Sequence, residues 1–279
     1  MNASPLFTYY DAAVYAGDAA SLHEGQWLSD SVLGFYSEYL AHEVLKGDGS
    51  VLLLKPSQVQ LLMVDFESMR AALPRDMEQK RLVLAPINNQ GSRGGSHWSL
   101  LVCHLDDEGG EQRALRFHYF DSMANANYRS ALLVKQALDL LLQFNQRNNA
   151  QVGPMLTHSC PQQENSYDCG VFVILFADLL VRRYSDLRTP QKRVSFDSAL
   201  RSRGASGDII QRSMSPFAPF VKDYQVPRGT SPPAYDMFRR GTLRAARVER
   251  VFWWIDYGDL CNPNVARTTV LNLVNQYRQ

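Results

Sequence analysis

The stretch Gln162-Gln163-Glu164-Asn165-Ser166-Tyr167-Asp168-Cys169-Gly170, followed at once by the run 171–183, decides how this chain is read. The run is apolar nearly all round, which marks a central, buried helix. The residues before it are polar and turn-forming. Cys169 therefore stands at a helix N-terminus, where unsatisfied N–H groups and the helix dipole favour a thiolate. The glycine beside it lets a substrate backbone come close to sulfur. Most cysteines are inert core fillers, and that reading suits Cys103, Cys160 and Cys261.

A nucleophilic thiol needs a base, and the base needs a group to orient it. Two strand-like runs, 97–105 and 115–121, flank Gly109-Gly110, a hairpin signal. His97 opens the first run, directly after the glycine-containing loop 88–96. Asp121 closes the second, in Phe120-Asp121-Ser122. The outer ends of a hairpin lie side by side, so His97 and Asp121 fall within reach of each other. Gln163, just upstream of Cys169, carries an amide that can donate to an oxyanion, with the Cys169 N–H as second donor. His23, His42, His104, His118 and His158 show no such arrangement. Cys103 and His104 are neighbours in a strand and face opposite sides, which argues against a metal site with His118.

Outward from this centre, a helix is expected over 27–42. Ser29 or Asp30 can cap it, and Val32, Leu33, Tyr36, Tyr39 and Leu40 recur at helical spacing. A short helix follows Pro56. A strand over 81–85 is stopped by Pro86, a long helix covers 128–146, and a further strand covers 154–159. An amphipathic helix over 265–277 closes the chain. Residues 189–259 differ in composition. They carry twelve Lys+Arg against seven Asp+Glu and six of the 13 prolines, the pattern of a basic, loop-rich insertion.

The 279 residues set a soft prior of one or two domains. With 45% hydrophobic and 20% charged residues, wholesale disorder is excluded. A net charge of +1 argues against a mainly electrostatic nucleic-acid or membrane binder. Four cysteines without a CxxC pair argue against a disulfide framework or a cysteine-rich zinc site. The first 22 residues lack the basic and apolar regions of a secretion signal. The apolar stretch 171–181 is broken by Asp178 and is too short for a bilayer. These features lead to the expectation of a soluble protein of the cytoplasm, the nucleus or both.

Taken together, Trp27-Leu28-Ser29-Asp30, Gly94-Gly95-Ser96-His97-Trp98-Ser99-Leu100, Phe120-Asp121-Ser122 and Gln163 through Gly170 resemble the ubiquitin-like-protein-specific cysteine proteases. These are adenain-like thiol proteases with catalytic order His, Asp, Cys. The similarity is greatest to the small deneddylase branch. The resemblance covers about residues 5–188 and the last helix. It implies an α+β fold of the papain-like or adenain-like kind: a central mixed sheet packed by helices, in one catalytic domain spanning 1–279. An insertion is expected at 189–259, before a closing helix within 263–279. It implies His97, Asp121, Cys169 and Gln163 as catalytic residues. It also implies that Trp27 and Trp98 wall a narrow tunnel for an extended Gly-Gly tail, that Asp30 meets a basic residue upstream of that tail, and that the loop holding Gly94 and Gly95 closes over it as a flap. Two flat rings admit only residues without a Cβ, so selection of Gly-Gly follows by exclusion. The family usually has Asn where this chain has Ser29, and the small deneddylases lack the insertion.

The implied activity is cleavage after the C-terminal Gly-Gly of a ubiquitin-like modifier, with the neddylation modifier first and SUMO as alternative. No cofactor, metal, nucleic acid or membrane is expected, and the protein is expected to act as a monomer. From other classes, an acyltransferase of the same fold and an inactive binder of a ubiquitin-like protein stand as rivals.

Overall fold

The structure is a computed structural model that describes residues 4–74, 76–89, 95–106, 114–145, 151–158, 160–188 and 262–278. The chain starts with a small antiparallel hairpin, β1 (Phe7–Tyr9) and β2 (Ala12–Val14), and a short helix α1 (Ala16–Ala20). Helix α2 (Asp30–Tyr39) passes directly into a π-helical turn, Leu40–Val44. Strand β3 (Val51–Leu53), helices α3 (Pro56–Val64) and α4 (Phe66–Ala72), and strands β4 (Leu82–Asn88), β5 (Trp98–Asp106) and β6 (Ala114–Phe120) follow. The described chain continues with α5 (Tyr128–Asn145), β7 (Gln151–Thr157), α6 (Cys169–Arg188) and α7 (Pro263–Tyr277).

The sheet order is β3-β4-β5-β6-β7. The three inner strands pair antiparallel, while β3 and β7 join the edges in parallel. This is the mixed sheet that the family resemblance implies. Its inner strands are apolar on both parities, which requires cover on both faces. Leu82, Leu84, Leu100 and Val102 share one cluster with α2, α6 and α7. Val83, Ala85, Leu101 and Cys103 share the other with α3, α4 and α5. Helix α7 packs on α6, so Ala266, Val270 and Val274 belong to the first cluster although residues 189–262 separate the two helices in sequence.

Three expectations are corrected by local physics. The helix expected from residue 27 begins at Asp30, because Ser29 is its N-cap: the Ser29 hydroxyl accepts from the Val32 N–H at 3.3 Å. Trp27 and Leu28 therefore precede the helix. Strand β4 runs through Pro86 to Asn88. Its pairing with β3 ends at Leu84, so beyond that point β4 has a ladder on one side only, where a missing N–H is tolerated. The strand expected over 154–159 covers Gln151–Thr157. Its register against β6 shifts where Leu115 pairs with Val152 but Phe117 with Met155, and this bulge absorbs Gly153-Pro154. The Gly109-Gly110 turn and the insertion 189–259 lie outside the described residues, as does Cys261.

Candidate active site

The β5–β6 register ends at Leu100 opposite Phe120, so the residues beyond it, His97 and Asp121, meet at the open end of the hairpin. His97 Nε2 stands 2.6 Å from Asp121 Oδ1, with both side chains buried. The Asp121 carboxylate receives three further donors. The Tyr119 hydroxyl donates to Oδ2 at 2.6 Å, the Met123 N–H to Oδ1 at 2.8 Å, and the Asn127 N–H to Oδ2 at 3.1 Å. Burial alone would raise this carboxyl, but the hydrogen bonds from His97 and Tyr119 outweigh it and hold the group below the usual carboxylate range.

A carboxylate only accepts, so it fixes Nε2 as the protonated nitrogen of neutral His97. Nδ1 has no hydrogen-bond partner among the described residues and is the nitrogen left for the thiol. Burial pulls the imidazole pKa down, but the bond to Asp121 and the Cys169 thiol push it up, to about 9. The backbone of His97 is pinned from both sides. Its N–H donates to Asn89 Oδ1 at 2.8 Å, and its carbonyl accepts from Asn127 Nδ2 at 3.0 Å. Asn127 also donates to the Ile87 carbonyl at 3.2 Å, tying β4 to the same point.

Cys169 is the first residue of α6 and is buried, as the sequence implies. Asp168 precedes it as N-cap, its carbonyl accepting from the Phe172 N–H. Gly170 lies close to Leu28 and Trp98: a Cβ there would stand 2.9 Å from Leu28 Cβ and 3.3 Å from Trp98 Cδ1. Glycine at this position lets the start of α6 sit directly on the Trp98 ring. Trp98 is buried, whereas Trp27 is 51% exposed, which excludes a core-anchor role for Trp27. Asp30 is exposed in the first turn of α2. Gly95 lies against the Asn88 carboxamide, on which a Cβ would fall. Gly94 lies outside the described residues.

The segment 160–163 zips onto the turn after Asp121. The Cys160 thiol and Gln162 Nε2 both donate to the Asp121 carbonyl, at 3.3 and 2.9 Å. The Ala124 N–H donates to Gln162 Oε1 at 2.8 Å, holding Ala124 at a φ of 44°, a strained value for a residue with a side chain. Gln163 Oε1 accepts from the Ser122 hydroxyl at 2.7 Å, while Nε2 donates to the Asn165 carbonyl at 2.6 Å. A carbonyl cannot donate, so the orientation of the amide is fixed by its partners. One hydrogen of the Gln163 amide is left without a partner among the described residues.

Sequence reasoning missed the supports. Asn127, directly before α5, reads as a helix cap, and its carbonyl does accept from the Ala131 N–H, but its side chain turns back to β4 and β5. Tyr119 reads as a core aromatic. Cys103 is a core residue whose thiol is pushed up by burial. Cys160 is buried as expected, yet its thiol also braces Asp121. Among the described residues no group of three or more His, Cys, Asp or Glu side chains is placed to hold a metal, and no helix is long and apolar enough to cross a membrane.

The arrangement can hold a thiol beside an imidazole whose other nitrogen is locked to a carboxylate, next to a fixed amide donor. Comparison with known proteins shows the family. Human sentrin-specific protease 8 is 29% identical over 185 residues, covering 64% of this chain and 82% of that protein. NEDD8-specific protease 1 of Schizosaccharomyces pombe is 30% identical over 198 residues, 66% of this chain and 43% of that protein. A crystal structure of the de-sumoylating protease superposes with a TM-score of 0.54 over 96% of this chain and 87% of that one, at 19% identity, which is a likeness of fold. The model of the Ulp1 protease family, C-terminal catalytic domain, matches residues 26–199, a span that holds His97, Asp121, Gln163 and Cys169. This chain belongs to the Ulp1 protease family and is a cysteine peptidase.

Proposed function

We propose that Cys169 is the nucleophile, His97 its base, Asp121 the group that orients His97, and Gln163 the oxyanion donor together with the Cys169 N–H. The observation that carries this reading is the 2.6 Å His97–Asp121 pair beside a cysteine at the start of α6. The raised pKa of His97 favours the imidazolium side of the Cys169–His97 pair at neutral pH. The sulfur attacks the carbonyl carbon of the terminal glycine. The oxyanion forms against the free Gln163 amide hydrogen and the Cys169 N–H. The C–N bond then breaks, and the leaving amine takes its proton from His97. Water, deprotonated by His97, attacks the thioester and releases the carboxylate and Cys169. Every group these steps need belongs to this chain, to the substrate or to solvent water.

The substrate is the Gly-Gly tail of a ubiquitin-like modifier, joined to further residues in a precursor or to a lysine in a conjugate. Trp98 on Gly170, with Trp27 beside the entrance, forms the slot that a Cβ would block. Asp30, in the first turn of α2, faces the residues upstream of the tail. The modifier is the neddylation modifier, a reading supported by relatives named for that specificity. Modifier choice depends on a broad surface and not on the four site residues. The protein works in the cytoplasm, the nucleus or both.

The test is release of a C-terminal fluorophore from the neddylation modifier, SUMO and ubiquitin, with Cys169→Ala as control. Release from the neddylation modifier alone, lost in Cys169→Ala, is expected. Release from SUMO or ubiquitin instead overturns the modifier assignment, and turnover by Cys169→Ala overturns the nucleophile. No release from any of the three turns attention to acyl transfer or to modifier binding without cleavage.

A further inference from the structure

The Arg267 guanidinium is buried, 3% exposed, and lies on α7, beyond the stretch that the family model matches. It makes six hydrogen bonds. Nε and Nη2 both donate to Asp168 Oδ1, at 2.9 and 2.8 Å. Nη1 donates to the carbonyls of Ser21 and His23, at 3.0 and 3.1 Å. Nη2 also donates to the carbonyls of Gln26 and Tyr167, at 2.7 and 3.2 Å. All five N–H donors of the side chain are engaged.

Its partners are the supports of the site. Asp168 is the residue before Cys169 and the N-cap of α6. Its other oxygen accepts from Asn165 Nδ2 at 2.8 Å, and Asn165 Oδ1 accepts the N–H groups of Tyr167 and Asp168. The Asn165 carbonyl is the acceptor that fixes the Gln163 amide. Gln26 is the residue before Trp27. One planar cation therefore stands where the nucleophile's helix start, the oxyanion donor's anchor and the segment leading to the exposed tryptophan meet.

We propose that Arg267 is a positioning residue for the peptidase reaction: by locking Asp168 and the carbonyls of residues 21–26 to α7, it sets the Cys169 thiol and the Gln163 amide in their working places. This rests on Cys169 as the nucleophile. A plain structural ion pair would need only charge and burial, whereas these contacts are spread over four backbone carbonyls and one carboxylate. That distribution calls for the rigid fork of arginine, which lysine does not reproduce.

The experiment uses the full chain with Arg267→Gln and Arg267→Lys. Three quantities are read: cooperative thermal melting, kcat on the fluorogenic Gly-Gly modifier that the wild type cleaves, and the rate of Cys169 alkylation by iodoacetamide, located by peptide mass. Per folded molecule, Arg267→Gln is expected to lower kcat and the Cys169 alkylation rate together, at least about tenfold. Arg267→Lys, with three donors for five, is expected to recover part and remain about threefold to tenfold below wild type. If Arg267→Gln does not fold, Arg267→Lys carries the test. A folded variant of either kind with wild-type kcat and wild-type alkylation overturns the proposal. Alkylation needs no substrate, so the two readings separate. Slow wild-type alkylation of Cys169 that is indifferent to His97→Ala would sink the nucleophile itself. Fast alkylation that ignores Arg267 would sink the positioning role alone.

Discussion

Replacing Asp121 by asparagine exchanges one acceptor oxygen for an NH₂ among four donors. The new amide can face two ways. With its oxygen toward His97 and Met123, its NH₂ confronts Tyr119 and the Asn127 N–H. The tyrosine hydroxyl can turn and accept, but the backbone N–H cannot, and Asn127 is 1% exposed. An orphaned buried N–H costs about 1–3 kcal/mol. With the oxygen toward Tyr119 and Asn127, the orphan is the Met123 N–H instead. Met123 is 37% exposed, so water can take over that bond. The second orientation therefore predominates by roughly 5- to 140-fold, at 1.4 kcal/mol per decade. It points the NH₂ at His97 Nε2, which must then accept, and it moves the ring proton to Nδ1, the side that faces Cys169. A ring protonated there cannot take the thiol's proton. The carboxylate that raises His97 is lost as well. The expected result is a fall of about 10³–10⁴ in kcat, the scale seen when a triad orienter is made neutral, with KM within a few-fold and circular dichroism unchanged. The assay is hydrolysis of the fluorogenic modifier, paired with a ¹⁵N spectrum of the imidazole. A kcat within tenfold of wild type, or a ring that keeps its proton on Nε2, would refute this reasoning.

Gln163→Ala is expected to lower kcat by roughly 10²–10³ with KM little changed, as for loss of one oxyanion donor; a change in KM alone would make Gln163 a binding residue. Trp27→Ala is expected to move stability by about 0.5 kcal/mol or less, as for an exposed position, while raising KM, and a large loss in thermal melting would contradict its surface placement. The pH dependence follows from His97 and Asp121. His97 is raised, so the stability its imidazolium contributes is complete below the ordinary histidine value and is lost as pH rises through about 9. Asp121 is lowered, so its contribution is present above the ordinary carboxylate range and is lost on acidification. The basic limb of kcat/KM is accordingly expected near pH 9, and a limb below 7.5 would count against the assigned pair.

The sequence carried the site where the chemistry is local. The doublet Gly109-Gly110 between two strand-like runs was enough to bring His97 to Asp121, because a hairpin has one geometry at its open end. The polar turn before an apolar helix was enough to place Cys169. What it did not carry are contacts between side chains and distant backbone. Asn127 serves the Ile87 and His97 carbonyls across the sheet, and Arg267 serves Asp168, in each case from an element whose own periodicity is satisfied without that residue. Pro86 misled because its effect on a strand depends on which neighbour is absent, a property of the sheet and not of the segment.

The Arg267 contacts have a consequence for how the protein is made. Its bonds to Asp168 close a loop of 99 positions, and those to Ser21 one of 246. A ribosome adding about 5–20 residues per second delivers this arginine roughly 5–20 s after Asp168. Until then the nascent chain already holds its histidine, its aspartate and its cysteine. The Asp168 carboxylate, however, has no counter-ion, and the carbonyls near residue 26 are open. Non-local pairing of this range is slow to form, so on the proposed role of Arg267 the site reaches its full rate only after α7 has been made and has docked.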